Sequence, residues 1–243
     1  MCTATWIRTE GGYEVFFNRD ELATRKPALP PSVRESGGVR FLAPVDGDAG
    51  GTWLGANEHG VTIGIANGPR ETRDRPLRSR GLLVQDLLAS ADVADAERRI
   101  LATDPSSTRP FSLFALDPAG TARIWDSDGA RLESRTGRSE GALLFSSSRD
   151  AARARALRQA LLDRMVREHG GLDADLLAAF HRSHEPERGA FSPCMHREDA
   201  STVSFTRIRV GPDSIEMRYH PGPPCTEAAE ASSSLRRIRR PVV

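Results

Sequence analysis

The chain has 243 residues, 38% of them hydrophobic and 28% charged, which excludes a collagen-like, coiled-coil or wholly disordered protein. Lys and Arg number 34 and Asp and Glu 33, so the net charge of +1 offers no field to attract nucleic acid or an anionic membrane. No apolar run approaches the ~20 residues of a membrane-spanning helix, and the first residues lack the pattern of a signal peptide. We therefore expect a cytoplasmic protein without a nucleic-acid partner or stable membrane insertion.

Alternation of apolar and polar residues predicts a hairpin at the start of the chain, with strands at residues 3–8 and 13–17 joined around Gly11 and Gly12. Short strands of the same kind follow, several of them paired across turns that contain glycine. They are predicted at residues 39–44, 52–56, 61–66, 111–117, 121–126, 143–147, 201–210 and 214–220.

Helical periodicity is confined to three segments. Apolar residues spaced by three and four positions predict helix within residues 79–101, with a break near Ser90, and over residues 150–169, which end at a glycine pair. A shorter helix is expected from Asp173, a favourable N-cap, to about residue 182.

The order of these elements predicts the fold class. Strands and helices occur in separate blocks, which favours an α+β layered fold over alternating βαβ units. On this interpretation residues 1–225 form a single domain. Residues 226–243 are then a loosely held C-terminal tail on the surface.

Three cysteines cannot form a complete disulfide set, and in the cytoplasm Cys2, Cys194 and Cys225 would stay reduced. Cys2 has a special position, because removal of Met1 gives it a free α-amine beside its thiol. The amine has a reference pKa of ~7.7–8.0 and the thiol of ~8.5, so one residue can supply both base and nucleophile. That is the arrangement of N-terminal nucleophile (Ntn) hydrolases. The alternative is a cysteine that follows methionine by chance.

Polar residues in the next segments could assist such a nucleophile. Residues 18–21, Asn-Arg-Asp-Glu, end the second strand of the hairpin and so lie beside the start of the first. A guanidinium there would favour the thiolate, and a carboxylate would hold the α-ammonium group; a solvated charged turn is the alternative. Asn67 ends an apolar strand, where its amide could donate to a developing oxyanion or form a turn with Gly68.

These segments together resemble the NRDE family, the family of transport and Golgi organisation protein 2. The resemblance rests on Met-Cys-Thr at the start, the tetrapeptide at residues 18–21, Gly-Thr-Trp-Leu-Gly at residues 51–55 and the strand that ends at Asn67. The family is related to Ntn amidohydrolases that include choloylglycine hydrolases and penicillin V acylases. The resemblance therefore implies a single-domain, four-layer αββα sandwich with Cys2 as the N-terminal nucleophile.

The resemblance also implies roles for the N-terminal polar residues. Arg19 with Asp20 is the pair that holds the amine and the thiol in register, and Asn18 with Glu21 is the alternative pair. Asn67 matches the amide that lines the oxyanion side of the acylase site.

Later positions match the acylases less closely. An asparagine expected at the end of the middle strand is missing where the chain reads Phe-Ser-Ser-Ser at residues 145–148, so the hydroxyl of Ser147 or a backbone N–H would replace it. Arg197 corresponds to a late arginine of the acylases. Trp53 would wall the acyl pocket, although a core tryptophan is the alternative.

A second group of residues could bind a metal. His181, His184, Cys194 and His196 lie within sixteen residues and offer the imidazole and thiol ligands that zinc prefers. The one-residue spacing between the last two is unusual for zinc, so we favour isolated surface histidines with a buried cysteine. We expect no metal and no cofactor.

Two functions of different classes fit the sequence. The first is hydrolysis of a non-peptide amide (C–N) bond through Cys2, with a small-molecule amide or acyl-bearing substrate. The second is a non-catalytic binding or carrier protein for an acyl-bearing or haem-like apolar ligand, which the serines at residues 146–148 favour because they replace an expected asparagine. The sequence predicts neither the substrate nor the oligomeric state.

Overall fold

The computed structural model describes residues 2–68, 77–138, 142–146 and 150–239, with the backbone alone for residues 142–146. The strands within these residues are β1 (Cys2–Thr9), β2 (Gly12–Leu22), β3 (Leu29–Ser36), β4 (Val39–Val45), β5 (Leu54–Asn57), β6 (Thr62–Asn67), β7 (Phe111–Leu116), β8 (Ala122–Ser127), β9 (Leu132–Thr136), β10 (Ala142–Ser146), β11 (Ala200–Val210), β12 (Ser214–Pro221) and β13 (Ala231–Arg236). The α-helices are α1 (Arg80–Leu87), α2 (Val93–Leu101), α3 (Ala151–His169) and α4 (Ala174–Arg182). None of these helices has both the length and the apolar composition needed to cross a membrane.

The strands form two antiparallel sheets that pack face to face. The six-stranded sheet has the order β10-β1-β2-β11-β12-β13, and the seven-stranded sheet has the order β3-β4-β5-β6-β7-β8-β9. Helices α1 and α2 contact β5, β6 and β7 of the larger sheet, whereas α3 and α4 contact β10, β1 and β2 of the smaller one. The predicted α+β, four-layer αββα sandwich is therefore confirmed.

The buried apolar side chains form two clusters, the larger of which fills the space between the sheets and continues under α1 and α2. The core between the sheets includes Trp6, whose ring stacks on Phe114 with the centroids 5.2 Å apart. In the same layer the Tyr13 hydroxyl donates to the Gly60 carbonyl at 2.6 Å and so joins the two sheets. The second core lies between the six-stranded sheet and helices α3 and α4, and Phe16 is one of its buried members. Strands β1 and β2 contribute to both cores.

A β-bulge interrupts the pairing of β11 with β2. Thr202 lies opposite Asp20 and Ser204 lies opposite Arg19, so Val203 is the extra residue. The carbonyl of Val203 accepts a hydrogen bond from the backbone N–H of Gly222 at 3.0 Å. The bulge therefore links β11 to the segment that follows β12.

The predicted hairpin, the later strands and the three helical segments are confirmed, and the break near Ser90 separates α1 from α2. Strands β3, β9 and β13 were not predicted. All three are edge strands, which face solvent along much of their length and need no strict alternation. The predicted loose tail at residues 226–243 is corrected in part, because residues 231–236 pair with β12 and bury Leu235.

Candidate functional site

Cys2 begins β1, which lies between β10 and β2, and its neighbours across the two ladders are Ser146 and Arg19. Alternation directs the thiol, together with Trp6, into the buried layer between the sheets. The backbone N–H of Asp20 hydrogen-bonds to the sulfur, but burial raises the pKa of the thiol to about 11. The thiol is therefore protonated at neutral pH and becomes a nucleophile only when a base removes its proton.

The guanidinium of Arg19 shares the intersheet face of β2 with the thiol opposite it. Its carbon lies 4.1 Å from the ring centroid of Trp53, a stacking contact that also fixes its plane. It donates to the Asp46 carboxylate at 2.5 Å and lies 3.7 Å from Glu21. Arg25 donates to the same Asp46 oxygen at 2.6 Å. Arg19 is thus held from one side by an aromatic ring and from another by a shared carboxylate.

The sequence analysis missed Asp46. This residue follows β4, and its carboxylate accepts hydrogen bonds from the backbone N–H groups of Asp48 at 3.1 Å and Ala49 at 2.8 Å. Burial acts to raise the pKa of Asp46, but the Ala49 N–H and the Arg25 guanidinium outweigh it and lower that pKa. The glycine-rich residues that follow Asp46 signalled a turn, whereas its partner Arg19 lies 27 residues away in the chain.

Asp20 lies on the opposite face of β2, toward the helices. Its carboxylate accepts a hydrogen bond from the Thr202 hydroxyl at 2.6 Å, and that hydroxyl oxygen accepts one from the Met195 N–H at 2.9 Å. Burial raises the pKa of Asp20, and the positive charge of Arg158 opposes the rise. Arg19 and Asp20, predicted as a pair, therefore act on different faces because neighbouring residues of a strand point in opposite directions.

Arg158 of α3 is a second residue that the sequence analysis missed. It is almost fully buried and donates to the carbonyls of Phe191 at 3.0 Å and Ser192 at 2.7 Å, and to the hydroxyl of Thr3. Burial lowers its pKa, and the negative charge of Asp20 counteracts the effect. The available signal was its position on the buried stripe of α3, which comprises Ala154, Arg158, Leu161 and Leu162. An arginine in such a stripe requires buried acceptors.

Asn67, the predicted oxyanion donor, ends β6 at the same end of the sandwich as Cys2. Strand β6 contacts β1 across the intersheet layer. Trp53, on which Arg19 stacks, accepts a hydrogen bond from the N–H of Ile65 at 2.9 Å. These contacts bring the backbone of Ile65 beside Trp53. Gly64 faces Phe114 in the intersheet layer, so alternation assigns Asn67 to the other face of β6. No hydrogen bond among the described residues joins the Asn67 side chain to Cys2 or Arg19.

Arg80, the first residue of α1, brings another cation to this end of the sandwich. Its guanidinium and the Gly68 N–H both donate to the carbonyl of Pro110, at 2.8 and 2.9 Å. Burial and the charge of Arg109 lower the pKa of Arg80, and the charge of a Cys2 thiolate would raise it. The sequence analysis missed Arg80 because one arginine in an arginine-rich segment gives no distinct signal.

The other predicted binding residues lie elsewhere. Asn18 shares the helix-side face with Asp20 and donates to backbone carbonyls of α4 and the loop after it, at 2.9 Å each. Arg197 donates to Asp199 at 2.8 Å in the turn before β11. Ser147 lies outside the described residues. Of the predicted binding set, Glu21 and Trp53 are therefore the two that the structure brings beside Arg19.

The four residues considered as a metal set do not all meet. His181 is buried in the helix-side core, with its Nε2 atom 3.0 Å from the Thr5 hydroxyl oxygen, and burial lowers its pKa to about 3. The other three lie together with a cysteine from the segment after β12: His184, Cys194, His196 and Cys225. The sequence analysis gave Cys225 no role.

The sandwich is similar to solved structures of a conjugated bile acid hydrolase, a penicillin V acylase and an acid amidase. A mutant of conjugated bile acid hydrolase from Clostridium perfringens is 12% identical over 96% of this chain and 92% of its own, with a TM-score of 0.58. Penicillin V acylase from Agrobacterium tumefaciens is 14% identical over 91% and 83%, with a TM-score of 0.52. The Caenorhabditis elegans ortholog of N-acylethanolamine-hydrolyzing acid amidase is 10% identical over 86% and 92%, with a TM-score of 0.59. At these identities the likeness shows the fold alone.

Comparison of the sequence identifies one family. No curated protein matches the chain. The family model described as Transport and Golgi organisation 2 matches residues 1–185, and the chain therefore belongs to that family.

Proposed function

We propose that the protein is an Ntn hydrolase that cleaves a non-peptide amide bond through Cys2 after Met1 has been removed. The observation that carries the proposal is the placement of Cys2. It is the first described residue of a strand inside the sheet, and its buried thiol lies opposite Arg19. The solved structures with this fold are named as a conjugated bile acid hydrolase, a penicillin V acylase and an N-acylethanolamine-hydrolyzing acid amidase, which supports the reaction class.

The protonated Cys2 thiol needs a base before it can act as a nucleophile. With its pKa raised to about 11 by burial, the thiol holds its proton at neutral pH. Cys2 pairs with Arg19 in an antiparallel ladder, so the α-amine exposed by removal of Met1 would lie toward the next residue of β2, Asp20. An amine with a reference pKa of ~7.7–8.0 is a suitable base for this proton.

The proposed reaction has two stages. The α-amine takes the thiol proton, the sulfur forms a bond to the amide carbonyl carbon, and the protonated amine gives its proton to the departing nitrogen as the C–N bond breaks. Water then attacks the resulting thioester, the S–C bond breaks, and the carboxylic acid leaves. Asn67 and a backbone N–H are the proposed donors to the tetrahedral oxyanion, and Arg19 and Arg80 supply the positive field around it.

The test begins with intact mass spectrometry, which measures whether Met1 is absent. The processed protein is then incubated with a conjugated bile acid, penicillin V and an N-acylethanolamine, and amine release is measured. We expect turnover of at least one amide, and we expect Cys2→Ala to reduce it by at least about 10³-fold.

Two matched variants complete this test. A chain with residues added before Met1 keeps the thiol but has no α-amine on Cys2, and we expect it to be inactive. His169→Gln alters an exposed side chain far from the thiol and should keep full activity. The proposal is wrong if the extended chain is as active as the processed one.

A carrier function for an acyl-bearing or haem-like apolar ligand is the second candidate. It is favoured by the indole N–H of Trp53, which is buried and has no hydrogen-bond partner among the described residues, so that a bound ligand could supply an acceptor. Saturable thermal stabilisation by an N-acyl compound without its consumption would support carriage. Release of product would exclude this alternative. The cytoplasmic location expected from the sequence belongs to both proposals.

A further inference from the structure

Four metal-ligating side chains converge at one point outside the Cys2 site. The group comprises His184, Cys194, His196 and Cys225, and we call it the four-ligand cluster. One ligand atom from each residue lies within 4.8 Å of all the others. His184 follows α4, the next two residues lie in the loop before β11, and Cys225 comes from the segment after β12.

Three of the six distances between ligand atoms match the edges of a metal-centred tetrahedron, and the other three are at most 4.8 Å. His184 Nε2 lies 3.2 Å from His196 Nε2, and the sulfur atoms of Cys194 and Cys225 each lie 3.4 Å from that same nitrogen. Zinc bonds of about 2.0–2.1 Å to nitrogen and about 2.3 Å to sulfur give tetrahedral edges of about 3.3 Å between nitrogens and about 3.6 Å between nitrogen and sulfur. The observed distances agree with these values within about 0.2 Å.

Hydrogen bonding alone does not account for this convergence. A neutral imidazole nitrogen carries either one proton or one lone pair, so it can serve one strong partner. His196 Nε2 has three partner atoms within 3.4 Å. A cation at the centre would satisfy all four ligand atoms at once, whereas a proton would satisfy two of them.

One charged side chain borders the cluster on the solvent side. Arg188 lies 3.4 Å from His196 Nδ1 at the exposed edge. Coordination through Nε2 puts the ring proton on Nδ1, so Arg188 must turn away toward solvent when the metal binds.

We infer that the four-ligand cluster, with two cysteines and two histidines, is a structural zinc site. Zinc displaces one proton from each of the two thiols, which gives a neutral centre of one divalent cation and two thiolates. All four coordination positions are filled by protein, which is the pattern of structural and not catalytic zinc. The inference is independent of the proposed function of Cys2.

The site would fix the loop that supports the other face of β2. Residues 183–199 provide the carbonyls that accept from Arg158 and the Met195 N–H that holds Thr202 on Asp20. Cys194 and His196 flank Met195 directly. A metal at this point would therefore tie the loop to Gly222–Cys225 and keep the Thr202–Asp20 contact in place.

The test measures metal content and ligand chemistry together. The intact protein is loaded with ZnCl2, dialysed and analysed for bound metal, and a second sample is loaded with Co2+. We expect one zinc per chain, and with cobalt the visible bands of a tetrahedral centre together with a near-ultraviolet thiolate-to-cobalt band. Zinc should also raise the melting temperature of the loaded protein.

Matched variants identify the ligands. Cys225→Ser and His184→Gln should each lose stoichiometric zinc. In Cys225→Ser the thiolate-to-cobalt band should also become weaker. Cys2→Ser and His169→Gln change the same residue types outside the cluster and should keep both signals. Because Cys225 is exposed, its substitution should leave the circular dichroism spectrum unchanged.

Three results would overturn the inference. The first is less than half an equivalent of zinc in the wild-type protein after dialysis. The second is zinc content that is equal in Cys225→Ser and Cys2→Ser. The third is a freshly purified protein whose mass and peptide map show a disulfide between Cys194 and Cys225 and that still binds no zinc after reduction.

Discussion

The two faces of strands β1 and β2 differ in what their polar groups contact. On the helix side, Arg158 donates to two carbonyls and a hydroxyl, and Asp20 accepts from Thr202. On the intersheet side, Cys2 holds its proton in a buried layer, and the indole N–H of Trp53 has no partner among the described residues. The helix-side groups pair with loop and strand atoms that hold the layers together, whereas the intersheet side keeps a thiol and an indole N–H that a ligand could engage.

The difference shows how a strand can separate support from chemistry. Neighbouring residues such as Arg19 and Asp20 point to opposite faces, so one segment can orient a reactive thiol and also anchor the helices that hold the sheet. Damage to the helix face should appear mainly as lost stability. Damage to the intersheet face should appear mainly as changed reactivity.

The largest expected effect concerns the helix face. Arg158→Met removes a buried cation and leaves the Asp20 carboxylate and two loop carbonyls without it, so we expect a loss of about 3–5 kcal/mol in the free energy of unfolding. Urea denaturation measures this loss. Arg155→Met changes an exposed arginine of the same helix and should cost at most about 0.5 kcal/mol. Equal losses in the two variants would show that the buried contacts of Arg158 do not stabilise the helix face.

The second prediction concerns the thiol on the intersheet face. In a chain extended before Met1, a pKa raised from 9.0 to about 11 lowers the thiolate fraction of Cys2 at pH 7 by about a hundredfold relative to an ordinary cysteine. Iodoacetamide labelling, read by peptide mass spectrometry, should therefore keep accelerating up to about pH 11. The same chain unfolded in urea is the reference. A labelling rate that levels off below pH 9 in the folded extended chain would refute the prediction.

The third prediction is a pH dependence on the helix face. His181 has a pKa lowered to about 3 in the folded state, so between about pH 3 and 6.5 the unfolded chain binds a proton that the folded chain does not. Stability should therefore fall as the pH falls through this window, by about 2 kcal/mol at pH 5 from this residue alone.

His181→Phe tests this pH dependence. The ring already packs among Phe16, Phe180 and Phe205, and phenylalanine cannot titrate. The variant should lose about 2 kcal/mol less than the wild-type protein between pH 7.5 and pH 5, measured by urea denaturation. Parallel curves for the wild-type protein and His181→Phe would show that the buried imidazole is not the titrating group.

The smallest expected effect lies at the far end of the intersheet face. Tyr13→Phe removes the hydroxyl that donates to the Gly60 carbonyl, and we expect a loss of about 1 kcal/mol with no change in Cys2 labelling. Thermal and urea denaturation measure the first, and the iodoacetamide assay measures the second. Altered labelling would mean that the two ends of the intersheet layer are coupled.

The hairpin, the helices and the α+β class followed from local patterns that the sequence displays directly, whereas the four-layer order followed from the family resemblance. The alternation in residues 13–17, continued along the same strand, places neighbouring residues of the tetrapeptide at residues 18–21 on opposite faces. The resemblance assigned Arg19 and Asp20 as one pair, and the strand geometry separates them. Edge strands such as β13 escaped prediction because few of their residues are buried, only Leu235 in this strand, so no alternation of apolar residues marks them.

The missed site residues share a physical cause, which is that their partners are distant in the chain. Asp46 meets Arg19 across 27 positions, and Arg158 meets Thr3 across 155. A buried arginine or a turn aspartate can be recognised locally, but the acceptor it needs is fixed only by the packing of layers. The same applies to Cys225, whose neighbours in space are 29 or more positions away in the chain.

The bulge in β11 makes one part of the molecule sensitive to the length of the chain. Deleting Val203 would leave Thr202 opposite Asp20 and Ser204 opposite Arg19, so neither ladder would slip. It would remove the carbonyl that accepts the Gly222 N–H, three residues before Cys225. A one-residue deletion there would thus keep the strand register but remove a hydrogen bond that holds the segment leading to Cys225. The position of this thiol therefore depends on the length of β11.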